Sequence, residues 1–421
     1  MPGPILPIAG SLLPAALIWL GLRRWPLAAG VSGALAALLL RFLVAAIPLQ
    51  ESAGAVFPFV GAEWPLAGRA LVLTEEVRQV LLLLYAGAAL LFLFSALWPQ
   101  GPDFVPAGLG ALAPLAVLLL AQPSAFGIVA LLVAVALVTI MIQAGDSNAT
   151  TASLRFLVLM ALTLPLFLLA GWMVESEQFV FVGTIWRLLL VGLTLWLAGF
   201  PFHIWVRPLL HKAPLLVTVY VLTLLQLVLA AFAHRLLQQA PALWESTRLF
   251  PLLRASAAAT LLVAGLLALQ ARRPRDLLAY LLLADMGTLL LTLTFAGAGR
   301  PATVQIVQLR FAGLLLVAAG TFLLPGLLDA DTFGALRARA RDAPWRAALF
   351  AYGALSLAGL PLTPGFLGRW AAVSLLARLS PWPALLVLLA TAAAIVAVLR
   401  SLAAWLAPPV AGLSNEEVGL D

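Results

Sequence analysis

Residues 197–202 read LAGFPF and residues 357–362 read LAGLPL, so Pro201 aligns with Pro361 at a distance of 160 residues. Both motifs lie inside long apolar runs. A proline inside a helix removes a backbone hydrogen bond, and at membrane depth the freed groups must face protein or a wet cavity. The pair therefore predicts two broken helices beside a buried polar path. The alternative is a chance echo between two Gly-Pro kinks in a chain rich in Leu and Ala.

The composition around these motifs is that of a membrane protein. Of the 421 residues, 64% are hydrophobic and only 10% are charged, whereas an average soluble domain has about 25% charged residues. A water-soluble fold is excluded. The chain has no cysteine and three histidines, which excludes disulfides, iron–sulfur ligation and thiolate zinc sites. We expect no cofactor, metal or redox centre in this chain.

Apolar runs long enough to cross a bilayer recur along the whole chain. A spanning helix needs about 20 mostly apolar residues. The thirteen segments that meet this criterion lie near residues 4–22, 26–48, 77–98, 104–122, 125–143, 153–174, 181–206, 214–235, 250–270, 277–297, 303–326, 346–371 and 382–406. Unbroken runs of this length favour helices over barrel strands. The sequence predicts an all-α polytopic membrane protein with about 13 transmembrane helices.

The two proline motifs fall in the seventh and twelfth predicted helices. Because the two helices are five positions apart in this order, equivalent units around them would cross the membrane in opposite directions, as in inverted-repeat transporters. With the N-terminus outside, thirteen basic residues lie in cytoplasmic connections and seven on the opposite side. The positive-inside rule therefore predicts an outside N-terminus and an inside C-terminus.

Residues 49–76 lie between the second and third predicted segments and contain the β-prone pieces AVFPFV and RALVL. We expect them to form an external loop with a hairpin.

Four stretches share their order with one known family. They are TTASLRF (150–156), GFPFHIWVRPLLHKAPLLVTVYVL (199–222), RDLLAYLLLADMG (275–287) and LAGLPLTPGFLGRW (357–370). Together they resemble the antiporter-like membrane subunits of respiratory complex I (NADH:quinone oxidoreductase), and are closest to subunit N. The similarity covers roughly residues 77 to 406.

This resemblance implies a division of the chain. Residues 1–103 would form three helices, with the external loop 49–76 between the second and the third. Two inverted five-helix repeats would follow, at 104–235 and 250–406, and then a C-terminal tail at 407–421. The broken helices of the two repeats would contain Pro201, and Pro361 with Pro364, respectively.

Several positions depart from the family pattern. The resemblance implies buried lysines at three places, which here hold Trp196, Gln226 and Arg369, and a histidine where Asp285 stands. The glutamate expected in the fifth helix falls within GIVALL (127–132), which has no acid. A proton relay needs groups that gain and lose a proton near working pH, whereas arginine stays charged. We therefore expect the lysine/glutamate relay of the family to be degenerate in this chain.

His203 and Asp285 are the titratable groups that the sequence places inside helices. One hypothesis is a residual hydrated path through His203, Gln226 and Asp285. The alternative is that Asp285 is neutralised by Arg310 on the adjacent antiparallel helix, because an unpaired intramembrane charge costs at least about 2.5 kcal/mol. His203 could equally be a hydrogen-bonded histidine at the membrane interface.

The resemblance implies a membrane-arm subunit of a complex I-like quinone oxidoreductase in the bacterial inner (cytoplasmic) membrane. Partner subunits would carry flavin, iron–sulfur clusters and the quinone site, and the degenerate relay would make this chain structural or weakly proton-conducting. A second reading is a subunit of a multisubunit cation/proton antiporter, a membrane-bound hydrogenase or an inorganic-carbon uptake complex. In either case the expected partners are other membrane subunits and lipids, not nucleic acid.

Overall fold

A computed structural model describes residues 3–49, 61–66, 68–143, 149–176, 182–239, 248–336 and 341–406, which fold into fifteen helices and three short strands. Helices α1 to α9 are Ile5–Leu22, Pro26–Ala46, Glu75–Leu97, Phe104–Leu120, Ser124–Gln143, Thr150–Glu175, Val182–Trp196, Val206–Lys212 and Leu215–Gln238. Helices α10 to α15 are Leu249–Gln270, Pro274–Leu293, Ala296–Leu323, Pro344–Ala358, Pro364–Leu379 and Pro381–Leu406. Strands β1 to β3 are Glu63–Leu66, Arg69–Val72 and Ala121–Gln122.

These helices account for all thirteen predicted segments. The seventh segment is divided between α7 and α8, and the twelfth between α13 and α14. Within the described ranges, ten helices are long and apolar enough to cross a membrane, and α4 and α7 are shorter apolar helices. The predicted all-helical membrane fold is confirmed.

The first break separates α7 from α8. Helix α7 ends at Trp196, Ala198 has a positive φ of 52°, and the Phe200–Pro201 peptide bond is cis. A 3₁₀ turn at His203–Trp205 then leads into the seven-residue α8. The break predicted at Pro201 is therefore present, because this residue cannot donate the backbone hydrogen bond that would continue α7. The predicted segment 181–206 ends where α8 begins, since α8 covers Val206–Lys212.

The second break separates α13 from α14. Gly359 follows α13 with a φ of +80°, a left-handed conformation that suits glycine because it has no Cβ. Pro361 lies in the linker, and Pro364 occupies the first turn of α14, where its missing N–H would have no helical partner. The predicted end of this segment at residue 371 was too early, since α14 continues to Leu379.

A small antiparallel sheet combines two strands from the α2–α3 connection with one strand from the α4–α5 connection. Strand β1 pairs with β2, and β2 also pairs with β3 from the connection between α4 and α5. The hairpin expected within residues 49–76 is therefore present, and RALVL contributes β2. The first β-prone piece, AVFPFV (55–60), lies outside the described residues, as does the predicted tail 407–421.

Helices α9 and α11 form the centre of the bundle. Nearly all their residues are buried, as are those of α4, whereas only 22% of α1 is buried. A helix that is apolar all round belongs in the interior of a large membrane protein. Since the broken segments are the seventh and the twelfth of thirteen, they run in opposite directions if every segment crosses once. The repeat boundaries at 104–235 and 250–406 stay a prediction.

Candidate functional site

A buried ion pair joins α11 and α12 near the middle of the bundle. Arg310 Nε donates to Asp285 Oδ2 at 2.5 Å, and the two side chains are 0% and 10% exposed. A charge at this depth requires a partner, because the cost of removing it from water is large. The pairing of Asp285 with Arg310 that was considered from sequence is therefore present in the structure.

Arg310 also holds the central helix α9. Its Nη1 donates to the carbonyl of Leu222 at 2.9 Å and contacts Met286 Sδ at 3.3 Å. Leu222 lies within Tyr220–Leu225, a π-helical stretch of α9. Local π-helical turns in α-helices often mark functional sites. One guanidinium thus ties together α9, α11 and α12.

Arg369 on α14 is a second buried cation. Its Nη2 donates to the carbonyl of Leu357 at 2.6 Å, and its Nη1 donates to Thr391 Oγ1 at 3.0 Å. Leu357 is in the last turn of α13, where helical carbonyls have no partner within the helix. Arg369 therefore caps the end of the broken helix and places positive charge at the negative end of its dipole.

The three charged residues line one small cavity. Asp285, Arg310 and Arg369 surround about 10 Å³ together with Ser356 and the helix α14 glycines Gly365 and Gly368. That volume holds about one water molecule. Two guanidinium groups and one carboxylate therefore meet around this cavity.

The position of Trp196 is filled by stacked aromatic rings. Its indole lies on Phe167 with ring centroids 4.0 Å apart and an interplanar angle of 29°, and it meets Phe232 edge-on. The indole Nε1 donates to Thr163 Oγ1 at 2.6 Å. A packed indole has no proton to exchange near neutral pH. Trp196 therefore obstructs the position where the resemblance implied a lysine.

Gln226 extends this cluster into α9. Its Nε2 donates to the backbone carbonyl of Trp196 at 3.0 Å, while its Oε1 is buried and accepts no hydrogen bond from the described residues. Gln226 and Leu222 are one turn apart on α9. The Trp196 cluster and the charged cluster are thus neighbours along one helix, but no hydrogen bond between described side chains joins them.

His203 stands apart from both clusters. It is half-buried in the 3₁₀ turn after the first break, with its ring 5.9 Å from that of Phe200. Its Nδ1 is buried and bonds to no described group. The structure therefore brings together Asp285, Arg310 and Arg369, and separately Gln226 with Trp196, but it does not bring His203 to either group.

The prediction that Asp285 and His203 are the titratable groups inside helices was wrong on two points. His234 lies in α9, 2% exposed, with its Nε2 3.0 Å from Thr303 Oγ1. Thr303 Oγ1 in turn lies 2.6 Å from Thr292 Oγ1. The signal was available, because residue 234 falls inside the predicted eighth segment. His203 itself lies in the break rather than in a transmembrane helix.

A second ionic cluster lies where α8 meets the start of α11. Arg207 Nε donates to Asp276 Oδ1 at 2.6 Å, and His211 Nε2 lies 2.9 Å from the same oxygen. The hydrogen bond to Asp276 raises the pKa of the Arg207 guanidinium above its ordinary value. Arg275 Nη1 donates to the carbonyl of Leu210 at 2.6 Å. This cluster fixes the short helix after the first break.

Metal-binding clusters are a separate question. Across the described ranges, no group of three or more His, Asp or Glu residues could hold a metal ion.

Comparison with known families identifies the fold. The sequence profile of the NADH:quinone oxidoreductase/Mrp antiporter transmembrane family matches residues 113–395, more than half of the chain. The chain belongs to this family. It is an antiporter-like membrane subunit.

Solved structures share the architecture. A chain of the Mrp complex from Dietzia sp. DQ12-45-1b aligns with a TM-score of 0.76 and 19% identity, over 97% of this chain and 80% of that chain. A chain of respiratory complex I from Thermus thermophilus with bound NADH aligns with a TM-score of 0.76 and 21% identity, over 96% and 88%. A chain of the membrane-bound sulfane sulfur reductase, an archaeal respiratory membrane complex, gives 0.74 and 19%, over 95% and 87%. Identities this low establish similarity of fold.

Proposed function

We propose that this chain is a membrane-arm subunit of a complex I-like quinone oxidoreductase, resembling subunit N, and that it conducts few or no protons. Other membrane subunits would be its partners, in the bacterial inner membrane with the N-terminus outside. Flavin, iron–sulfur clusters and the quinone would be held by partner subunits, so this chain would supply no redox step.

The observation that carries the proposal is the structural role of two of the three residues that stand where the resemblance implies a lysine. Trp196 is stacked on Phe167 and hydrogen-bonded to Thr163. Arg369 caps the carbonyl of Leu357 at the end of α13. Each residue thus has a packing role that leaves no exchangeable proton where a relay would need one.

The charged cluster supports the same proposal. Asp285 is paired with Arg310, and Arg310 is anchored to the backbone of α9. Removal of either charged partner would leave the other charge buried without a counter-ion. The cluster is therefore suited to joining α9, α11 and α12 rather than to passing protons.

The second candidate is a subunit of a multisubunit cation/proton antiporter, a membrane-bound hydrogenase or an inorganic-carbon uptake complex. The fold match to the Mrp complex, with a TM-score equal to that of the complex I match, favours keeping it. No redox partner would then be needed in the antiporter case.

Purification of the intact assembly through a tag on this chain tests the proposal. We expect flavin- and iron–sulfur-containing subunits to co-purify, and the assembly to reduce a quinone. Co-purification of membrane subunits alone, with Na⁺/H⁺ exchange in vesicles and no quinone reduction, would contradict the first candidate and support the antiporter reading.

A further inference from the structure

A small apolar hole opens on the side of the bundle between α3, α9 and α12. Its volume is about 170 Å³, room for one large apolar side chain. The residues around it include Gly87 and Leu90 of α3, Leu224 and Leu227 of α9, and Gln308 and Phe311 of α12. Gly87 lets α3 approach α9 closely, since a Cβ there would lie 2.5 Å from Leu224 Cδ2. We call this surface the α3/α12 face.

Gln308 places an amide at the rim of this hole. It lies twelve residues after the start and fifteen before the end of α12, close to the middle of a transmembrane helix. Its side chain is exposed and forms no hydrogen bond with any described group of the chain. Arg310, two residues later on α12, points instead into the bundle. The exposed amide is therefore separate from the charged cluster.

An exposed amide in the hydrocarbon core requires a hydrogen-bond partner. Its N–H and C=O groups lose their water partners there, and acyl chains have neither donors nor acceptors to replace them. A lipid tail could fill the apolar hole but would leave the amide unsatisfied. A transmembrane helix could do both, since interhelical hydrogen bonds from glutamine, serine, threonine or asparagine are common inside membranes.

We propose that the α3/α12 face receives a transmembrane helix of a neighbouring subunit. That helix places a large apolar side chain in the hole between Gly87 and Phe311, and a hydrogen-bonding group opposite Gln308. The exposed leucines of α10, such as Leu262, offer apolar contact alone, which suits lipid. The inference rests on the proposed membership of a multisubunit complex and not on the degenerate relay.

Site-specific photocrosslinking in the purified complex tests the occupant. Leu90→p-benzoylphenylalanine and Leu262→p-benzoylphenylalanine each place one benzophenone in this chain, and this label does not react with cysteines of the partner subunits. Leu262 is the matched control for Leu90, because the two side chains are 52% and 51% exposed, respectively. We expect the label at position 90 to form adducts with a transmembrane peptide of one co-purifying subunit, and the label at 262 to react with lipid. Adducts of the position 90 label with lipid alone would overturn the inference while leaving the proposed function intact.

The role of the amide is tested separately by Gln308→Leu, with Gln308→Asn as the conservative variant. The side chain is exposed, so neither variant should change the folding of this subunit, which the unfolding midpoint in detergent verifies. We expect Gln308→Leu to weaken retention of the crosslinked subunit about 3- to 10-fold in a detergent titration, and Gln308→Asn to restore most of it. Retention equal to that of the unaltered chain in Gln308→Leu would overturn the hydrogen bond. If no membrane subunit co-purifies at all, the proposed function fails, and this inference fails with it.

Discussion

The two buried cations of the central cluster are both arginines, and in each case the shape of the guanidinium explains the choice. Arg310 uses separate nitrogens for Asp285 and for the carbonyl of Leu222. Arg369 does the same for Leu357 and Thr391. A lysine ammonium is a compact point charge that can lose its proton when buried, whereas the planar guanidinium stays charged and holds several acceptors in fixed directions. Both arginines therefore hold neighbouring helices together through several hydrogen bonds.

The Asp285–Arg310 pair should behave as one unit toward mutation. Asp285→Asn or Arg310→Gln alone leaves a buried charge without its partner and should cost about 3–5 kcal/mol of unfolding free energy. The double variant should recover a large part of that loss. The control is Asp329→Asn. The Asp329 side chain is exposed and lies 2.8 Å from Arg275, so this substitution should cost at most about 1 kcal/mol. Denaturant titration in detergent measures all four variants, and additive losses in the double variant would contradict the pairing.

Sequence reasoning reached these residues only in part. The pairing of Asp285 with Arg310 followed from the high cost of an isolated charge and from adjacent antiparallel helices. The cap that Arg369 provides did not follow, because it depends on the end of α13 lying beside α14 in space. Gln308 was missed because a single glutamine in an apolar run carries no sign of which way it points.

At the scale of elements, different contacts stabilise the chain at the two helix breaks. After α7 the chain turns through Ala198 and a 3₁₀ segment, and α8 is fixed from outside by the Arg207–Asp276 contact. After α13 it turns through Gly359, and Arg369 caps the freed carbonyl from the following helix. The proline echo predicted where both breaks lie. It could not predict the contacts that stabilise each break, since these contacts come from neighbouring helices.

Gly359 is expected to tolerate no side chain. Its φ is +80°, and a Cβ there would lie 2.3 Å from Arg369 Cδ. Gly359→Ala should therefore combine backbone strain with displacement of the cap, a loss of roughly 2–5 kcal/mol. Gly68→Ala is the matched control, because Gly68 has a φ of +78° and open space around it, and should show the backbone part alone, about 1–2 kcal/mol. Equal unfolding midpoints for the two variants would contradict a cap that depends on close approach.

At the scale of the whole molecule, hydropathy predicted the transmembrane segments because a bilayer imposes both their length and their helical conformation. Hydropathy did not predict which helices are central. Helix α9 has the same mean hydropathy, 2.4, as the much less buried α15, and α11 has the lowest of the ten candidate spans, 1.6. The central place of both helices therefore depends on packing. Hydropathy likewise placed His234 in a transmembrane segment, but it could not predict that His234 contacts Thr303 on another helix.

The central proposal is that this chain is a membrane-arm subunit that conducts few or no protons. The most direct test measures acidification of vesicles that contain the assembled complex, after the relay lysines of its antiporter-like partner subunits have been replaced. The account predicts no acidification above that of protein-free vesicles, and no difference between Asp285→Asn and Asp329→Asn. Sustained acidification that Asp285→Asn abolishes and Asp329→Asn preserves would contradict it.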